Sequence, residues 1–324
     1  MTIQVEPNLS AEALGMAETP FQQTWRAFRR DRLAMFGLAV LVLMLVLAFL
    51  GKVLTEWWVV FDPATVRLPD KLRAPFSVPS RGLEPALRPP LGVYPFGTDE
   101  LGRNVFARML QGSFVSLSVG IVAVSISLVI GVTIGSLAGF YGRRRLGPLS
   151  VDSWLMRFTD IALCFPTFFL ILTVVALLPP SIYTIMAVIG VTSWMGTARF
   201  VRAEFMALRD QDFVTAAQAL GLPEWRIIFR HLVPNALSPV LVSATIDVAY
   251  AILTESALSF LGFGVRPPFA TWGNILADGR AYIFDAPWLF VIPGSAILVV
   301  VLAFNLVGEG LRDAMSPRLR RRVG

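Results

Sequence analysis

Residues 26–51 read RAFRRDRLAMFGLAVLVLMLVLAFLG, with Arg26, Arg29, Arg30 and Arg32 crowded at one end and no charge from residue 33 to residue 51. At about 1.5 Å per residue a helix of this run crosses the roughly 30 Å of hydrocarbon in a bilayer. Arginines beside a span are retained on the cytoplasmic side, so the N-terminus is predicted inside and a first span is predicted over 33–54. Trp57 and Trp58 follow at the far end, where indole rings favour the headgroup region.

The remainder of the chain has the same character. It is 55% hydrophobic and 15% charged, with a mean hydropathy of +0.67, outside the range of soluble domains. Its net charge of +6 lies in short clusters between uncharged runs. That distribution fits cytoplasmic anchors and argues against a nucleic-acid-binding stripe. The single cysteine, Cys164, falls in an apolar run. It permits no internal disulfide and is expected to be a small core residue. With one histidine and one cysteine, no multi-histidine site or zinc cluster is predicted.

Working outward from the first span, residues 1–32 are expected to be a cytoplasmic tail, since residues 1–24 lack the apolar core and cleavage site of a secretory signal. Residues 55–111 carry many prolines and both signs of charge and predict an extracytoplasmic loop or subdomain. Within it Thr98 as a cap, Asp99 and Glu100 at the start, and Arg103 and Arg108 at the end predict a short helix over 98–110. The second span, 112–142, holds Ser127, Gly131, Gly135 and Gly139 at four-residue spacing, a stripe that admits another helix closely. Arg143, Arg144 and Arg145 follow. The third span, 154–178, is broken at Pro166, and the fourth, 182–198, ends at Arg199 and Arg202. A cytoplasmic loop over 199–236 precedes the fifth span at 237–263. An outer loop over 264–287, a sixth span at 288–307 and a cytoplasmic tail over 308–324 complete the chain. The tail carries Arg312, Arg318, Arg320, Arg321 and Arg322. Six spans with both termini inside satisfy the charge bias at every short loop. The fold class is therefore an all-α membrane bundle, the arrangement that leaves no backbone exposed to lipid.

Between the fourth and fifth spans, residues 212–234 hold two consecutive helical patterns. Phe213, Ala216, Ala217 and Leu220 fall at i, i+3, i+4 and i+7. Gly221 suits the left-handed position that ends a helix, and Pro223 the first turn of another. Trp225, Ile228, Phe229 and Leu232 repeat the spacing before Pro234, which is expected to stop the helix. Such a helix, turn, helix unit either lies on the membrane surface, packs under its own bundle, or docks into a partner's groove.

Thr215-Ala216-Ala217, then Gly221, then Pro234 resembles the EAA signature of binding-protein-dependent ABC importers, with Thr215 where the glutamate usually stands. Residues 25–37, 96–120 (FGTDELGRNVFARMLQGSFVSLSVG) and 257–276 (ALSFLGFGVRPPFATWGNIL) are similar to the C-type permease subunit of the dipeptide, oligopeptide and nickel importers. The resemblance implies a type I ABC importer permease fold in a bacterial cytoplasmic (inner) membrane. It implies a coupling helix that docks into an ATPase subunit through Ala216, Ala217, Gly221, Leu222, Pro223, Glu224, Trp225 and Pro234. It also implies a heterodimer with a B-type permease, two ATP-binding subunits that hold ATP and Mg, and an extracytoplasmic solute-binding protein. Di- or oligopeptides are the implied cargo, with nickel chelates or glutathione as alternatives.

Asp160, Asp247 and Glu255 lie in or near predicted spans, where a carboxylate must face water, pair, or take up a proton. Asp247 and Glu255 are about two helical turns apart and are candidates to line one wall of a wet pathway. The alternative is hydrogen bonding to neighbouring helices. His231 is expected to make a surface or interface hydrogen bond. The outer loops either meet a binding protein or are solvated structure. The sole Gly-Lys pair, Gly51-Lys52, has Val46 where a phosphate loop needs glycine and Val53 where it needs Ser or Thr. Nucleotide hydrolysis, and any cofactor, is therefore assigned to other chains. Nor are there the repeated halves with matching broken helices expected of a secondary carrier.

Overall fold

The computed structural model describes residues 20–315. Most of the N-terminal tail and the arginines from Arg318 onward lie outside the described residues. Among the described residues four helices are long and apolar enough to cross a membrane, and two bent pairs raise the number to six if each pair is one span. Helix α1 (Pro20–Arg30) leads into α2 (Arg32–Lys52) through Asp31, whose Oδ1 accepts from the amides of Leu33 at 2.9 Å and Ala34 at 3.2 Å. That cap ends one helix and starts the next. Helix α3 (Val105–Tyr141) is followed by a short hairpin, β1 (Arg145–Leu146) paired with β2 (Leu149–Ser150). Then come α4 (Val151–Leu163) and α5 (Thr167–Leu177), bent by 76°, and α6 (Ile182–Thr192) and α7 (Trp194–Arg209), bent by 41°. The first bend coincides with Pro166, which has no amide hydrogen to continue the α4 ladder. After α8 (Asp212–Ala219) and α9 (Glu224–Ile227), the long α10 (Val233–Phe260), the short α11 (Trp272–Gly279) and α12 (Trp288–Met315) complete the bundle.

Helix α3 is the post around which the others pack, with α7, α6, α10, α2 and α4 all against it. Its small-residue stripe receives α7. A methyl group at Gly135 would lie 2.5 Å from the Ala198 carbonyl oxygen, and one at Gly139 would lie 2.5 Å from Phe205 Cβ. The glycines of α3 let α7 come this close even where it presents Val201, Arg202 and Phe205. On the opposite side α2 packs against α3 and α12, while Phe36, Val42, Val46 and Phe49 of α2 remain exposed, as lipid-facing side chains must.

The hairpin, the end of α7 and the α8–α9 unit gather at one end with Arg143, Arg144 and Arg209. Residues 53–104 and α11 gather at the other. Residues 53–104 fold without long helices around Asp70, which is fully buried and accepts from the Ser80 amide at 2.9 Å and the Tyr94 hydroxyl at 2.6 Å. Thr98 Oγ1 donates to the Asp70 carbonyl. Gly102 closes the turn at φ +71°, and a Cβ there would lie 1.8 Å from the Arg67 oxygen.

The predicted helix over 98–110 is corrected here. The cap is Asn104, accepting from the Phe106 amide at 3.0 Å, and the helix that starts at Val105 runs on without interruption as α3. Thr98 bridges Asn104 as extended chain. Asp99 is not a first-turn acid but a buried anion, 2.7 Å from Arg103 Nε and 2.6 Å from Arg108 Nη1. Cys164 is also corrected. It is exposed at the α4 break, with Sγ donating to the Asp160 carbonyl at 3.3 Å; the bend leaves residues 163–166 uncovered, while Ile171 and Val175 further along the run return to the core.

Candidate functional site

Between α7 and α10 the chain folds as a helical pair. Helix α8 ends in a tight turn in which the Gly221 amide donates to the Gln218 carbonyl at 2.9 Å and the Leu222 amide donates to the Ala217 carbonyl at 3.1 Å. Gly221 sits at φ +69° with no atom within 4 Å of where a Cβ would stand. The backbone conformation, and not crowding, requires glycine. Pro223 caps α9.

The buried face of this unit is Val214, Ala217, Ile227, Ile228 and Leu232, packed with Phe140, Val201, Phe205, Ala236 and Val240. The spacing places Phe213, Ala216, Ala217 and Leu220 on one face; the structure splits them, turning Ala217 inward beside Val214 and leaving Phe213, Ala216 and Leu220 uncovered. Leu220 is 80% exposed, and beyond the turn Trp225 is 60% and Phe229 69% exposed. Val214, between Phe213 and Thr215, gave no periodic signal of its own. The unit therefore has two apolar sides, one seated on the bundle and one bare. Around it, Arg144 pairs with Glu224, Arg143 Nη2 lies 3.4 Å from Asp210, and Arg209 Nη1 donates to the Gly139 carbonyl at 2.9 Å, closing the end of α3.

Pro234 does not stop the helix. Residues Ile228–Leu232 form a π-turn, and one continuous helix runs over Glu224–Phe260. The widened turn accommodates a proline that has no amide hydrogen to donate, and Asn235 Nδ2 donates to the His231 carbonyl at 2.6 Å. His231 itself is half-buried at this turn.

Asp247 and Glu255 do not share a wall. Eight residues are about 800° of helix, so their side chains diverge by roughly 80°. Asp247 lines a cavity of about 80 Å³ between α3, α6 and α10 with Ser127, Ser193, Tyr250 and Thr254. Glu255 is 0% exposed and accepts from Ser259 Oγ at 2.7 Å and Ser116 Oγ at 3.4 Å. Asp160 pairs with Arg199 of α7. Of the three carboxylates predicted at depth, Asp247 is the one on a cavity wall, and the other two are held by neighbouring helices.

The chain matches the model of a family described as binding-protein-dependent transport system inner membrane component over residues 131–321. A second model, the N-terminal TM domain of oligopeptide transport permease C, matches over residues 19–75. It is 35% identical to the dipeptide transport system permease protein DppC of Alkalihalophilus pseudofirmus, over 94% of this chain and 92% of that protein. It is 36% identical to the oligopeptide transport system permease protein OppC of Bacillus subtilis, over 91% of this chain and 88% of that one. Among solved structures, a crystal structure of an amino acid ABC transporter with histidines matches 67% of this chain and 95% of its own at 15% identity, with a TM-score of 0.48.

Proposed function

The chain belongs to the family of binding-protein-dependent transport system inner membrane components, and from that premise we propose that it is one permease half of an ATP-driven peptide importer. The observation that carries the reading is the bare apolar face of Phe213, Leu220, Trp225 and Phe229 on a unit whose other face is anchored in the bundle. A rigid helix pair with exposed aromatic anchors is suited to a partner's groove. That partner is an ATP-binding subunit, of which the complex holds two, each binding ATP and Mg. Its nucleotide-dependent movement changes substrate access only through differential contact with this unit.

The six spans pair with a B-type permease to enclose the path, in a bacterial cytoplasmic membrane with the arginine-rich end inside. Asp247, on its cavity at mid-helix, faces the path and attracts the cationic amino group of a passing peptide. At the outer end a cavity of about 480 Å³ lined by Lys52, Glu56, Tyr183, Arg266 and Phe269 has the size and mixed charge suited to a short peptide. There the subdomain over residues 53–104 meets a peptide-loaded binding protein. The names of the relatives support di- or oligopeptides as cargo. Nickel chelates or glutathione are the second reading.

The test is uptake by proteoliposomes holding the complete transporter, binding protein outside and ATP inside. Labelled dialanine or pentaalanine accumulates only with ATP. Accumulation of a nickel chelate or glutathione instead reassigns the cargo, and uptake that persists without ATP-binding subunits refutes the importer reading.

A further inference from the structure

Glu255 lies near the far end of the helix that begins in the α8–α9 unit. At 1.5 Å per residue it stands about 45 Å from Glu224 along one unbroken helix. A fully buried carboxylate at this depth is costly, and an apolar residue would join α10 to α3 without that cost. What the acid adds is a fastening. Besides donating to it, Ser116 Oγ of α3 accepts from the Trp272 amide at 3.3 Å, and Ser259 Oγ lies 3.5 Å from Thr271 Oγ1. Thr271 and Trp272 are the cap and first residue of α11. A methyl group at Gly273 would lie 2.7 Å from Ser256 Cα, so α11 rests directly on the backbone of α10.

From α11 the polar connections continue outward. Asn274, which closes the capping box with Thr271, donates to the Val265 carbonyl at 3.2 Å and accepts from Arg108 Nη2 at 3.4 Å. Arg108 reaches Asp278 of α11 at 2.9 Å and the buried Asp99 of the outer subdomain at 2.6 Å. The helix that starts at the exposed aromatic face thus ends in a hydrogen-bonded junction with the outer loop, α11 and the subdomain over residues 53–104.

We propose that Glu255 is a positioning residue for transport. It fastens α11 and the outer loop to the helix that begins at the α8–α9 unit, so that displacement at that unit reaches the outer mouth and a binding protein engaging that mouth is felt at the ATPase. This rests on the reading of α8–α9 as the ATPase docking unit. Coupling between two sites is reciprocal, so both directions are affected together.

The experiment uses the complete transporter in proteoliposomes. It measures ATP hydrolysis with and without peptide-loaded binding protein, and labelled dialanine imported per ATP. Glu255→Ala lowers both the stimulation and the transport ratio by at least about fivefold, the low end of typical site-to-site coupling, with basal hydrolysis unchanged. Glu255→Gln, which still accepts from Ser259, recovers most of both. Ser116→Ala, a milder cut in the same junction, shows the same pattern if the alanine variant at 255 fails to accumulate. Unchanged stimulation and ratio in Glu255→Ala and Ser116→Ala overturn the proposal. So does a parallel loss of basal and stimulated hydrolysis that follows the amount of folded protein, because that is the mark of a residue needed only for stability. A wild-type complex without ATP-dependent uptake defeats the importer reading itself.

Discussion

Gly221→Val perturbs the geometry of the proposed docking unit without touching any neighbour. The position is at φ +69° and a Cβ there meets nothing within 4 Å, so the whole effect is the cost of a side chain in the left-handed region. For an ordinary residue that is about 1–2 kcal/mol, and more for a β-branched one. A cost of this size lowers the ratio of molecules with α9 correctly set on α8 to those without by about 5- to 30-fold. The apparent affinity for the ATPase falls with the fraction still correctly set, by at most the same factor, while the membrane spans are untouched. The assay is ATP-driven peptide uptake and ATP hydrolysis in proteoliposomes, normalised to the amount of variant in the membrane. Asparagine tolerates the left-handed region, so uptake per ATP ranks Gly above Asn, Asn above Ala, and Ala above Val. Asparagine is larger than alanine, and that inversion separates backbone strain from bulk. Losses that follow side-chain volume, or full uptake in the valine variant, refute the reasoning.

Asp247→Asn lowers uptake by about tenfold at unchanged protein level, the loss of roughly 1.4 kcal/mol of charge-assisted contact with a peptide amine; unchanged transport kinetics remove it from the path. Arg108→Met leaves Asp99 buried with one fewer cation and destabilises the outer end by about 3–5 kcal/mol, read as a lower Tm of the purified protein; a Tm within error of wild type contradicts the ionic account of that junction. The carboxyl of Glu100 is held above its ordinary value of 4.5 by burial first and then by the charges of Asp278 and Asp99, with Arg103 opposing, and its Oε2 is buried without a hydrogen-bond partner. Its contribution to stability is full below the ordinary value and lost as pH rises through the folded value. Glu100→Gln therefore raises Tm at pH 7 and the gain vanishes toward pH 4; a gain independent of pH rules this out. Burial pushes Asp70 upward, but the bonds from Ser80 and Tyr94, with Arg73, outweigh it and hold the group below its ordinary 3.8. Its contribution is present above 3.8 and lost as pH falls through the folded value. Tyr94→Phe costs about 1.5–3 kcal/mol at neutral pH, a difference that must shrink in acid if the bond to a charged Asp70 is its source.

The membrane bundle was legible because apolar length and flanking arginines report directly on the solvent around each helix, and residues 26–51 display both. The stripe of Gly131, Gly135 and Gly139 was legible for a similar reason, since a close helix approach demands small residues at a fixed period. What the sequence did not disclose depends on rotation. In the α8 region apolar residues occur on both sides, so periodicity found the face of Phe213 and Leu220 but not that Val214 and Ala217 anchor the helix. Asp247 and Glu255 looked like one wall because their separation is near two turns. The remaining rotation of roughly 80° sends one to a cavity and the other into a hydroxyl nest. Pro234 read as a stop because nothing in the sequence marks the π-turn before it, and Thr98 read as a cap because Asn104, six residues on, competes with it for the same role.

A photo-crosslinking residue at Leu220, in membranes holding the complete transporter, tests most directly whether this unit is where the ATPase acts. The account predicts one dominant adduct with the mass of this chain plus an ATP-binding subunit, its yield altered by a non-hydrolysable ATP analogue. Adducts confined to lipid or to the partner permease, with the transporter active, would contradict it.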